Sequence, residues 1–146
     1  MKPLIKHQTQ PCKFSCVTTC LAMLLGEPVE TLIPAFHQRY RTGQVTLRGM
    51  LEESCIPYTA FYSLDERSAS EEGVYLCTVP SINIEGGNHQ LLIEVTEDGY
   101  FVIDPVMGRD ARYYVARGQE DGDRKVALNG FITDAFISRK WLEGKS

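Results

Sequence analysis

The chain has 146 residues, 43% apolar and 23% charged, the proportions of an ordinary folded protein and not of a disordered or collagen-like one. Fifteen basic and nineteen acidic residues leave a formal charge of −4, which gives no general attraction to nucleic acid or to an anionic membrane. At this length a single domain spanning 1–146 is the simplest organisation, and it needs no disulfide or metal staple to bury a sizeable core.

The first helix is predicted over 16–25. Ser15 is a good N-cap, CLAMLL favours helix, and Gly26 followed by Pro28 supplies a stop. Apolar side chains on nearly every side after Leu21 mark this helix as mostly buried. Pro34 divides 28–42 into two short helical pieces, the second carrying Phe36 and Tyr40, and RYR at 39–41 reads as a solvated helix face. A third helix is expected from about Leu47 to Cys55, capped by Thr46 and ended by Ile56-Pro57. Beyond Pro57 come short runs rich in β-branched and aromatic residues, at 58–64, 74–79, 89–96, 100–104, 111–117 and 125–128. EDG at 97–99 marks a hairpin, while 65–73 and 118–124 are polar loops. The tail TDAFISRKWL reads as a closing helix capped by Thr133, packing Ile137 against Trp141. Helices first and an antiparallel sheet afterward make an α+β domain.

The five cysteines are odd in number, and the polar opening MKPLIKHQTQ is no secretory signal, so reduced thiols in a cytoplasmic protein are expected. No run approaches the roughly 20 apolar residues of a bilayer span, so no membrane insertion is expected. Cys16 is the nucleophile candidate by position. The unpaired N–H groups and the positive end of the dipole at a helix start favour the thiolate. Cys20 and Cys77 read as small core residues. A zinc site from Cys12, Cys16 and Cys20 with His7 is a weak alternative, since no second ligand pair follows downstream.

A nucleophilic thiol needs a proton acceptor. Of the three histidines, His7 sits in a polar arm and His37 in a polar helical stretch, whereas His89 opens the strand HQLLIEV after the turn-rich EGGN. The next strand ends in Asp104-Pro105. With a two-residue turn at Asp98-Gly99, Asp104 shares the face of His89 but lies about 13 Å along the strand from it. A bulge, strong twist or different register is needed to join them.

Gln10 six residues before Cys16, the segment CLAMLLG, the strand NHQLLIEV and then FVIDPVMGR together resemble papain-like cysteine peptidases. The closest pattern is that of the bacteriocin-processing domains that cut after a double-glycine leader. The similarity covers about residues 8 to 115. Ser15 and Val17 depart from the acidic residue and glycine of the transporter-linked domains, which implies a diverged, stand-alone relative. The resemblance implies a papain-like fold, with N-terminal helices on a C-terminal antiparallel sheet, and no cofactor. It also implies a peptide or protein substrate, cleaved through an acyl-thioester. Cys16 would be the nucleophile and His89 the base, Asp104 would orient the imidazole, and Gln10 would donate to the oxyanion with the Cys16 N–H. Two alternatives share these residues: a module that grips a peptide without cutting it, and an acyltransferase in which an amine replaces water. Segments 36–50 and 80–88 are the expected pocket walls.

Overall fold

The computed structural model describes residues 3–60 and 71–144. Helix α1 (Cys16–Leu25) occupies the predicted span and ends at Gly26, whose φ of 69° is one that a glycine adopts without strain. Val17 to Leu24 are all buried, so this helix is the centre of the helical layer. The break expected at Pro34 is milder than predicted. Helix α2 (Val29–Leu32), a π-helical turn at Ile33–His37 and α3 (Gln38–Arg41) follow without an intervening loop. The wide turn absorbs a proline that has no N–H to give. Helix α4 (Leu47–Glu53) is capped as expected, the Thr46 hydroxyl accepting from Gly49 N at 3.1 Å.

Strands β1 (Thr59–Ala60), β2 (Gly73–Pro80), β3 (Asn88–Thr96), β4 (Gly99–Ile103), β5 (Tyr113–Val115), β6 (Lys125–Ala127) and β7 (Ile132–Ser138) follow, with α5 (Arg139–Gly144) last. Five form an antiparallel sheet in the order β1-β7-β2-β3-β4, and β5 pairs with β6 in a separate parallel ribbon. The structure is therefore mixed α+β, with helices toward the N-terminus and an antiparallel sheet after them. Residues 61–64 of the expected 58–64 strand, and most of the expected loop 65–73, lie outside the described residues. Among those described, no single helix is long and apolar enough to cross a membrane.

The closing helix capped by Thr133 is a correction. Residues 132–138 form β7, inserted between β1 and β2, and the helix begins only at Arg139. Thr133 pairs with Cys77 instead of capping. Leu76 faces Ala135 and Cys77 faces Thr133, so Asp134 is an extra residue in the ladder, a β-bulge.

The sheet is buried on both faces. Val74, Leu76, Leu92, Ala135 and Ile137 pack beneath α1, while Tyr75, Cys77, Leu91, Ile93 and Phe136 pack with Tyr114 and Leu128 on the other side. Two dry faces explain why β2 and β3 read as near-continuous apolar runs. Glu94 interrupts β3. Its buried carboxylate accepts the backbone N–H groups of Leu4 (2.6 Å) and Ile5 (3.0 Å), which ties the N-terminal arm to the sheet.

Candidate active site

The N-terminal arm runs on from Glu94 to the segment after β4. The His7 Nε2 donates to the Asp104 carbonyl (2.9 Å), the Thr9 hydroxyl donates to the Met107 carbonyl (2.8 Å), and Gln10 N donates to the Pro105 carbonyl (2.7 Å). Arg109 closes the clamp by donating to the Gln10 carbonyl at 3.1 Å. Gly108, with φ of 101°, lets Thr9 come this close.

After Gln10 the chain turns tightly into α1. Ser15 is buried, but its side chain does not cap the helix. Its hydroxyl donates to the Cys12 carbonyl (2.9 Å) and accepts from Cys12 N (3.1 Å), fixing the 12–15 turn. Cys16 is therefore the first residue of α1, in the turn whose N–H groups have no partner within the helix. The sulfur is half-buried and borders a cleft of about 380 Å³.

His89, on β3, borders the same cleft, and its Nε2 bonds Asp104 Oδ1 at 2.6 Å. The turn between β3 and β4 is Glu97-Asp98, not Asp98-Gly99, because Thr96 pairs with Gly99 and Leu92 with Ile103. That register carries Asp104 two residues further toward His89 than the sequence reading put it and halves the offset to about 7 Å, which the two side chains span across the end of β4. Parity is unchanged, so the two side chains still share a face.

Asp104 is almost fully buried and anchored on three sides. Oδ1 accepts from His89 and from Val106 N (3.0 Å), and Oδ2 accepts from Tyr114 N (2.8 Å). With Nε2 committed to Asp104, Nδ1 is the ring nitrogen that remains for the Cys16 thiol, which borders the same cleft. Burial pushes the His89 pKa down, but the hydrogen bond and charge of Asp104, helped by nearby Cys16, outweigh it and raise the value from 6.5 to about 9. The imidazolium form is favoured in this site.

Gln10 is buried in the cleft wall, but both protons of its amide are occupied. Nε2 donates to the carbonyls of Cys12 (2.9 Å) and Lys13 (3.2 Å), while Oε1 is buried with no partner among the described residues. The structure thus brings together Cys16, His89 and Asp104, and sets Gln10 beside them with its donors directed at the neighbouring loop.

The chain matches no protein-family profile, no curated protein and no solved structure.

The remaining cysteines separate by burial. Cys20 and Cys77 are wholly buried, and desolvation pushes both thiols up, whereas Cys12 and Cys55 are exposed. Cys12 Sγ lies 3.8 Å from His37 Nε2. Among the described residues no three His, Cys, Asp or Glu side chains come together to hold a metal.

The walls extend beyond the two expected segments. Tyr40 and Arg41 come from 36–50, and Ser81 to Ile84 and Asn88 from 80–88, but Lys13, Phe14, Val106, Arg109 and Arg112 also contribute. RYR is accordingly split. Arg39 pairs with Glu53 in solvent, while Tyr40 and Arg41 turn to the cleft. Thr78 and Gln90, which line the cleft, donate to Asp134 Oδ2 at 2.6 and 3.3 Å, so the bulge sets a carboxylate behind this part of the wall. Sequence reasoning missed Arg109 and Asp134, and it named His7 without its bond to the Asp104 carbonyl. Only the ID-P-V-M-G-R context of Arg109 carried a local signal, its nearness to Asp104.

Proposed function

We propose that this chain is a papain-like cysteine peptidase, nearest in pattern to the bacteriocin-processing domains, that cleaves a peptide through an acyl-thioester. The observation that carries this reading is the sulfur–imidazole–carboxylate line. Cys16 begins a helix, its thiol borders the same cleft as the His89 ring and acts on it electrostatically, and His89 Nε2 is held by Asp104 at 2.6 Å. No part of that line requires a bound cofactor.

In the proposed reaction the Cys16 proton already rests on His89 Nδ1, in keeping with the favoured imidazolium form, and the sulfur attacks the peptide carbonyl carbon. The carbonyl π electrons move onto oxygen. As the tetrahedral intermediate collapses, the C–N bond breaks and the imidazolium gives its proton to the leaving amine. A water molecule, deprotonated by the same nitrogen, then attacks the thioester and releases the acid and the thiol. Asp104 keeps Nε2 protonated and the ring aimed throughout. The Cys16 N–H is one donor for the oxyanion. Gln10 serves as the second by exchanging its longer bond, the one to the Lys13 carbonyl, for the charged oxygen, since a charge-assisted bond is the stronger of the two. If an amine replaces water in the second step, the product is a transfer product, which its mass identifies.

Treatment with a peptidyl electrophile, followed by mass spectrometry, tests the reading. Cys16 should be modified first although Cys12 and Cys55 are more exposed, so accessibility alone does not explain the preference. Cys16→Ala and His89→Ala should abolish turnover with the fold intact. Labelling of Cys16 no faster than Cys12 and Cys55 overturns the reading.

A further inference from the structure

The charge of the cleft opposes the charge of the chain. Four of the fifteen Lys and Arg residues line it (Lys13, Arg41, Arg109 and Arg112), against one of the nineteen acidic residues, Asp104, which is consumed by His89 and two backbone amides. Among the described residues none of the four is paired with a carboxylate. Arg41 and Lys13 stand over the Phe14 ring at 4.8 and 6.0 Å, and Arg109 donates to an uncharged carbonyl. Arg112 is held by its backbone, whose N–H and carbonyl bond Asn83 at 3.1 and 2.7 Å, so its guanidinium is left at an exposed position. Asp134, behind the lining residues Thr78 and Gln90, has its Oδ2 taken by both of them.

The positions are also apportioned. Lys13 precedes α1 and Arg41 ends α3, while Arg109 and Arg112 belong to the segment between β4 and β5. Cations from both the helical layer and the sheet therefore border one cleft containing the sulfur. A cleft lined by one sign of charge concentrates a ligand of the other sign even where the whole molecule repels it.

We infer that the peptide this site accepts is acidic, with Glu or Asp side chains on the residues that straddle the cleft. This rests on the reading of Cys16 and His89 as an acyl-transfer site. That reading favours a peptide over a polyanion such as RNA, which offers no acyl carbon to the sulfur.

Binding to the Cys16→Ala protein separates this claim from catalysis. The probes are three rhodamine-labelled decapeptides that alternate serine with glutamate, glutamine or lysine, read by fluorescence anisotropy. The glutamate peptide should bind at least tenfold more tightly than the glutamine peptide at low salt, and the lysine peptide most weakly. The preference should vanish near 0.5 M salt, where exposed charges are screened over about 4 Å. The Arg41→Gln/Arg112→Gln double variant should lose about tenfold in affinity for the glutamate peptide, whereas Lys140→Gln, away from the cleft, should lose nothing. Equal binding of the three peptides, no binding of any, or tighter binding of a ten-nucleotide uridine RNA overturns the inference. Failure of the peptide preference with Cys16 still labelled selectively rejects the acidic substrate alone. Loss of selective labelling rejects the peptidase reading.

Discussion

Asp104→Asn is a demanding test of the site, because it changes one atom and keeps the shape. The carboxylate accepts three protons, from His89 Nε2, Val106 N and Tyr114 N, at 2.6 to 3.0 Å. An asparagine offers one acceptor oxygen and an NH₂ group. If the oxygen stays at Oδ1 it serves His89 and Val106, but the NH₂ then faces the buried Tyr114 N–H, donor against donor. If the group flips, His89 and Val106 face the NH₂ instead. Either way at least one charge-assisted bond is lost and a buried donor is stranded, costing about 2–4 kcal/mol. For a protein of this size that lowers Tm by about 5–15 °C. Removing the negative charge also removes what outweighs burial at His89, so its pKa must fall from about 9. Thermal unfolding measures the first effect, and NMR titration of the imidazole measures the second. A variant with Tm within 2 °C of the parent and an unmoved His89 titration would refute the assignment of Asp104 as the anion behind the ring. In the peptidase reading kcat also falls, by about 10²–10⁴.

The His89 shift makes folding pH-dependent. A histidine raised from 6.5 to about 9 contributes about 3 kcal/mol of stability, fully present below pH 6.5 and lost as pH rises through 9. Denaturation series between pH 6 and 10 should show that loss, and His89→Gln should abolish it. Gly108→Ala should cost about 2 kcal/mol, because φ is 101° and the new methyl would meet Thr9 Oγ1 well inside van der Waals contact. Hydrogen exchange at Thr9 and Gln10 should quicken in that variant. Glu94→Gln puts an NH₂ where Leu4 N or Ile5 N now finds an acceptor, so amide protection at both residues should drop while that of α1 is retained.

Local physics made much of this legible. The burial pattern, the Gly26 stop and the Thr46 cap are short-range features, and α1 and α4 lie close to where those features predict. What the sequence concealed is set by distant pairing. The segment ITDAFIS looked helical because the bulge at Asp134 breaks its alternation, and only insertion between β1 and β2 makes it a strand. Residues Glu97 to Gly99 permit two neighbouring turns, and the choice between them moved Asp104 by two positions relative to His89. His7 lies 97 residues from the carbonyl it bonds, a distance no local pattern spans. The Gln10 amide was expected in the site and its side chain does border the cleft, but its present partners, the carbonyls of Cys12 and Lys13, belong to a turn whose shape depends on the buried Ser15 hydroxyl.

The arm from Leu4 to Gln10 is anchored at both ends, first by Glu94 and then by the 105–109 segment, yet it contributes no strand or helix of its own. Its cohesion with the rest thus comes from a series of polar contacts and one core side chain, Ile5. Proteolytic nicking between Ile5 and Thr9 would free only the piece that Glu94 holds, because Gln10 stays joined to α1 and bonded to Pro105 and Arg109, so a clipped preparation would keep both its circular dichroism and the surroundings of Cys16.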